Sequence, residues 1–409
     1  MEKKQTILLC WGYHRPGWVK CFEQLNNSFE FIYLFYLYPE EETESYTDNQ
    51  RIYYTSYKDP FTILKRFSIS KVIFMGMDGW QTIAINIAAK KMNIPTFYMM
   101  HGAVTLGFQG ISVAVYKKRN ILKETFTKKL GSWLFTLRFM LSALGWKYLS
   151  HLPALIKLQI QKTNMHPALA MAKNQNYLRN PGKYIVFSPR DIDYYVQQDG
   201  CSKDDFIVLG SLEIESFIEY AGIHDLKEDP YLLYIETPLS VINNNEFNIN
   251  LLSKEEYNQL IEGLSKYAML NGLKLYVKLH PYSYQNDYYI TNENIIYIKD
   301  EPMEPLLLNS KAVIAYNSSL SIPALYFKNC CILKIKKLDD FQRKIEEMKM
   351  CTIVDYNEFI YNTEGIEFLN EATSISKEKE QIRNVFRKTF IEPNKDVNGL
   401  AKLKEILLY

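Results

Sequence analysis

Short, uninterrupted apolar runs punctuate the first half of the chain: QTILLC (5–10), FIYLFYLY (31–38), RIYYTSY (51–57), KVIFMG (71–76), PTFYMM (95–100), KYIVFS (183–188) and FIVLG (206–210). They are rich in β-branched and aromatic residues and do not alternate with polar ones. That pattern predicts strands covered on both faces in a parallel sheet. Between them GWQTIAINIAAKKMN (79–93) predicts a helix, ended by Asn93 and Pro95. The pattern restarts after polar HDLKEDP (224–230), the expected linker, with YLLYIE (231–236), LKLYVKL (273–279), NIIYI (294–298), KAVIAY (311–316), CCILKI (330–335) and CTIV (351–354). The helices expected among these are 255–270, a short 303–309, and 318–327, the last carrying Pro323.

Two successive βα series predict an α/β chain of two facing Rossmann-like domains with an interdomain cleft. The first domain is expected over 1–225 and the second over 226–375. Helices over 376–409, broken near EPNKD (392–396), are expected to pack back on the first.

Length agrees, since 409 residues exceed what one core holds, about 250–300 residues. A net charge of +2 with 23% charged residues fits neither a disordered tail nor a general nucleic-acid binder. Six cysteines without CxxC spacing exclude a disulfide scaffold or a cysteine-based zinc site. The first ten residues hold only a four-residue apolar run, so no signal peptide is expected, and no uncharged stretch approaches the ~20 residues of a membrane span. Charge is uneven, however. Residues 117–162 contain ten bases and one acid, Glu124, so this segment is +9 and the rest of the chain −7. Large aromatics such as Trp133, Phe139 and Trp146 are interleaved with the bases. This composition predicts a basic helical insertion against an anionic membrane surface; the other reading is a helix packed on the domain with solvated lysines.

Candidate chemistry gathers where strands end. LKLYVKL delivers His280 and Pro281 at its carboxyl end, where open α/β sheets bind ligands and where an imidazole can donate to a phosphate oxygen. KAVIAY leads into Asn317, Ser318 and Ser319, hydroxyls and backbone N–H groups at an expected helix start. Glu304 opens the short helix between them, and a carboxylate there can accept ribose hydroxyls. Glu236 and Thr237 follow the first strand of that domain and are expected to line the same cleft and contact the nucleotide, as are Pro281 and Asn317. In the first domain KVIFMG ends in Met77-Asp78-Gly79, where Asp78 serves either as a helix cap or as a general base. Gly12, His14 and Arg15 follow the first strand and His101 a later one; with Gly79 they are the expected acceptor-side positions. GxGxxG, GxxxxGK[ST], GxSxG and HExxH are all absent.

KLHP (278–281), NSS (317–319) and MDG (77–79) together resemble the signature of bacterial sialyltransferases and polysialyltransferases of GT-B fold that build capsule and lipooligosaccharide. Met77 stands where that family often has a second acid. The resemblance implies an inverting, metal-independent transferase, without cofactor, that moves a nonulosonic acid from a CMP-sugar to a glycan or glycolipid acceptor. It implies Asp78 as general base, His280, Ser318 and Ser319 on the departing phosphate, Glu304 on the ribose and Lys278 near the cytidine. The expected place is the cytoplasmic face of the inner membrane, with no nucleic-acid partner. The rivals are a CDP-glycerol or CDP-ribitol phosphotransferase of teichoic-type polymers, a Kdo transferase, and a non-catalytic, membrane-bound glycan assembly factor.

Overall fold

The structure is a computed structural model that describes residues 4–10, 16–42, 47–100, 126–163, 165–237, 252–280, 283–284, 289–316, 318–335, 340–370, 377–391 and 399–408. By its contacts the chain divides into two units. One holds the described residues up to Leu212 and the terminal helix Gly399–Leu408; the other holds those of 213–391.

In the first unit β1 (Gln5–Cys10), β2 (Phe29–Leu34), β3 (Gln50–Ile52), β4 (Ile69–Phe74), β5 (Thr96–Met99), β6 (Lys183–Val186) and β7 (Phe206–Val208) form one sheet, ordered β3-β2-β1-β4-β5-β6-β7. Every pairing is parallel. Ile7, Leu8, Val72, Ile73 and Phe74 are sealed from solvent on the central strands, which is why those runs carry no polar alternation. Each such side chain contributes about 1.5–3 kcal/mol of burial. RIYYTSY shortens to an edge strand because Tyr54–Ser56 turns away as a 3-10 helix, held by Tyr54 N–H donating to the Tyr36 carbonyl at 3.0 Å.

Helix Trp80–Lys91 is buried nearly all round, at Ile83, Ala84, Ile85, Ile87, Ala88 and Ala89. Its outer side is covered by part of the basic insertion. Helix Phe126–Leu144 lays Phe139, Met140, Ala143 and Leu144 inward, Phe139 meeting Tyr54 edge-on at 5.9 Å. Lys91 Nζ donates to the Ala143 and Leu144 carbonyls at 2.6 and 2.8 Å, closing that helix with a cation as the macrodipole favours. Gly145, at φ 56°, then reverses the chain into Trp146–His151 and helix Leu152–Lys162.

The second unit's sheet runs β10-β9-β8-β11-β12-β13, from β8 (Tyr231–Ile235), β9 (Lys274–Lys278), β10 (Ile295–Ile298), β11 (Ala312–Ala315), β12 (Cys330–Lys334) and β13 (Thr352–Asp355), again all parallel. The period of two splits its core. Leu233, Ile235, Val313 and Ile332 face one layer; Leu232, Tyr234, Ile314 and Cys331 face Leu260, Ile261 and Leu264 of helix Lys254–Leu270. Ile214 and Phe217 join the first of these layers, so helix Leu212–Ile223 packs with the second unit and the division falls ahead of 224–230. Gly263 lies against the Phe359 carbonyl, where a Cβ would sit 1.9 Å from the oxygen.

Candidate active site

Each sheet has one point at which successive connections turn to opposite sides, and an open α/β sheet binds ligands there, beyond the strands' carboxyl ends. In the first unit it lies between β1 and β4, whose last residues pair as Cys10↔Phe74. In the second it lies between β8 and β11, where Ala315 pairs with Ile235 and Ile235 in turn with Lys278.

Asp78 occupies the first of these points, in the turn from β4 to helix Trp80–Lys91. The helix's N-cap is Gly79, so the Asp78 carboxylate precedes the cap position. It pairs with the insertion: Lys162 Nζ is 2.6 Å from Oδ2. Lys162 also donates to the Asp78 carbonyl at 2.9 Å, as does Gln159 Nε2 at 2.7 Å. Burial opposes ionisation of Asp78, but the Lys162 ammonium beside it holds the carboxyl below its ordinary value. A third of the side chain (36%) remains exposed. His166 also feels this charge. Burial lowers its pKa, Asp78 partly offsets that, and its Nδ1 accepts the Ala168 N–H at 3.2 Å. Lys162 and His166 escaped the sequence reading because they lie far along the chain from Asp78. At β6's end, Asp191 is pushed up to about 6 by burial and accepts from the Ser188 N–H at 2.9 Å, capping its own helix.

In the second unit Glu236 and His280 come together, in a manner the sequence did not show. Glu236, 3% exposed, follows β8 directly. Its Oε2 accepts the His280 N–H at 2.8 Å, its Oε1 accepts the Tyr257 hydroxyl at 2.8 Å, and the Tyr289 hydroxyl lies 3.2 Å from Oε1. Burial raises the Glu236 pKa, and these donors partly offset it. Both carboxylate oxygens are engaged inside the protein. Glu236 therefore fixes the backbone that carries His280, where a direct contact to a nucleotide was expected. Ser283 N–H donates to the His280 carbonyl at 2.7 Å, tightening the turn.

The other second-unit positions spread along one edge. Thr237 is half-buried beside Glu236. Lys278 ends β9, but its ammonium turns toward the β10 side, bonding the Lys299 carbonyl and lying 5.8 Å from the Tyr284 ring centre. Burial lowers its pKa against the pull of Asp300 and Glu301. In the sheet order this is away from the β8–β11 point. Glu304 sits in the first turn of helix Met303–Leu308, after β10, which β9 separates from β8. Ser318 and Ser319 are half-buried after β11. The helix beyond them runs Ser321–Phe327, later than expected, which places Pro323 in its first turn, where a missing N–H has no consequence. Ser318 Oγ accepts the Leu320 N–H at 3.3 Å. Gly12, His14, Arg15, His101, Pro281 and Asn317 lie outside the described residues. Among the described residues no group of three or more His, Cys, Asp or Glu side chains is placed to hold a metal ion.

No family model and no curated protein matches the chain. Solved structures do share its architecture. The glycotransferase of kitacinnamycin aligns over 99% of both chains at 9% identity and a TM-score of 0.53. The UDP-N-acetylglucosamine 2-epimerase from Rickettsia bellii aligns over 99% of this chain and 96% of its own, at 10% identity and a TM-score of 0.53. The fold is GT-B. CalG4, the calicheamicin glycosyltransferase, covers 99% of this chain and 98% of its own at 10% identity and a TM-score of 0.50. Identities this low carry the GT-B likeness at the level of fold, so the chemistry must be argued from the site.

Proposed function

We propose that the protein is an inverting glycosyltransferase of GT-B fold that transfers a nonulosonic acid from a CMP-sugar to a glycan acceptor of a bacterial surface polysaccharide. The glycosyltransferases among its structural neighbours support the broader class. The observation that carries the reading is the pair of switch points: an ionised carboxylate at one, and at the other an imidazole whose backbone is pinned by a buried glutamate. Asp78 would accept the acceptor hydroxyl's proton, while His280, Ser318 and Ser319 would donate to the departing phosphate, where negative charge develops. Such a donor carries its own carboxylate next to the anomeric carbon, which reduces the need for an added cation.

The insertion supports a membrane-proximal acceptor. Residues 126–162 contain no acid, and their outer surface carries Trp133, Leu134, Arg138, Leu141, Trp146 (92% exposed) and Lys147. Aromatic and basic groups together suit an interface rich in anionic lipid. No helix among the described residues is long and apolar enough to cross a membrane.

The test offers purified enzyme a CMP-linked nonulosonic acid or a CDP-alditol, each with a glycan acceptor. Release of CMP and a glycosidic product with the first supports the reading. Release of CMP only with the CDP-alditol would replace it by phosphoryl transfer. Sedimentation with anionic and neutral vesicles tests the insertion; binding indifferent to salt and lipid charge removes the membrane claim.

A further inference from the structure

We propose that Lys162 is the positioning residue of the candidate base, a clamp reaching from the insertion to hold Asp78 where an acceptor hydroxyl can reach it. This rests on the reading of Asp78 as that base.

One ammonium grips Asp78 twice, at the carboxylate (2.6 Å) and at the same residue's carbonyl (2.9 Å). It does not act alone. Leu155, Gln159 and Lys162 lie on one stripe of helix Leu152–Lys162, at the spacing that brings side chains to one face. All three meet the same turn: the Trp80 indole donates to the Leu155 carbonyl at 3.2 Å, and Gln159 donates to the Asp78 carbonyl at 2.7 Å. The helix's N-cap, Gly79, has no side chain of its own to hold this turn. A single charge pair on a mobile lysine contributes little at a surface. Lys162 is only 19% exposed, however, and is carried by a helix whose Leu155 and Leu158 are buried.

The charged and titratable groups that influence Asp78 are Lys162 from this helix, His166 just beyond it, Arg179, and Tyr98 of β5. Among those acting on Asp78 itself, Lys162 dominates, and with burial it sets the carboxylate's proton affinity. A base below its ordinary pKa is a weaker proton acceptor but is charged throughout the neutral range. The clamp therefore trades basicity for a fixed, ionised carboxylate, held at Oδ2.

The experiment uses the full chain, with CMP release across pH as the activity readout and ¹³C-carboxyl NMR of Asp78 as an independent one. Lys162→Met is expected to move the Asp78 titration and the acidic limb of kcat/KM to higher pH. It should also lower kcat on the order of 10²-fold with KM little changed, as a misplaced reacting group does. Lys162→Arg should hold the titration in place and recover most of kcat. Gln159→Met, which keeps the charge and should fold in any case, should lower kcat by about tenfold, one hydrogen bond to the turn, without moving the acidic limb. An unchanged kcat in Gln159→Met, or an unmoved titration in folded Lys162→Met, overturns the clamp. Undiminished turnover in Asp78→Asn overturns the base assignment itself. An inactive Asp78→Asn beside a Lys162→Met variant with native kcat and titration overturns only the clamp.

Discussion

The two sheets are built alike, yet they hold their key carboxylates in opposite ways. Asp78 stands a third exposed beside a lysine, and that charge keeps it below its ordinary pKa. Glu236 is sealed, pushed above its ordinary pKa, and surrounded by neutral donors from Tyr257, Tyr289 and the His280 backbone. The same residue class at equivalent ends of strands thus takes different work. A carboxylate kept charged and reachable suits proton transfer, whereas one buried among hydrogen-bond donors suits holding a neighbour in place. Position on the sheet names a candidate; environment decides what it does.

The sharpest way to break this division is substitution at both points. Asp78→Asn and His280→Ala should each reduce turnover on the order of 10²-fold or more, measured as CMP release from a CMP-sugar donor. Loss in one variant alone would leave the other unit without a catalytic part. Next in size is Gly263→Ala. Its Cβ would meet the Phe359 carbonyl, so overpacking should lower stability by about 1–3 kcal/mol. Hydrogen exchange should then rise at β8 and β9 amides while β1 and β4 stay protected; equal loss in both sheets would show that the units do not unfold separately. Glu236→Gln keeps the shape but replaces one accepting oxygen by a donor. Through the loosened His280, kcat should fall about tenfold, the worth of one hydrogen bond, with donor KM little changed. A rise in donor KM alone would make Glu236 a binding residue and not a support.

The smallest expected effect is a contrast with pH. Asp78's folded pKa is lowered, so its ion pair stabilises the first unit above the ordinary Asp value, about 4, and that contribution is lost as pH falls through the folded value. Glu236's is raised, so its contribution is present below the ordinary Glu value and is lost as pH rises through the folded value. Lowering pH toward the ordinary Glu value should therefore increase protection at β8, and lowering it further, below about 4, should reduce protection at β4, once exchange rates are corrected for their intrinsic pH dependence. Parallel changes in the two strands would contradict the assigned environments.

Much of the fold was readable along the chain. Strands buried on both faces leave continuous apolar runs such as QTILLC and KAVIAY, short and rich in β-branched or aromatic residues. RIYYTSY misled in length, since an edge strand has fewer neighbours to hold it and a local 3-10 turn competes successfully. Helix Leu212–Ile223 was attached by sequence order to the preceding series, but Ile214 and Phe217 pack with the strands that follow.

At the site, residue type and strand ends were enough to single out Asp78, Glu236 and His280, because polar groups gather where buried strands stop. Which atoms meet was not written locally. Lys162 reaches Asp78 from a helix 84 residues further along, and His280 rests on a glutamate 44 residues earlier. Periodicity and turn chemistry act over a few residues, so the sequence alone could determine two parallel sheets and the strand ends where the candidate residues lie. Proton affinities and the division between acting and supporting residues depend on burial and on charges a few ångströms away, and only the packed chain brings those together.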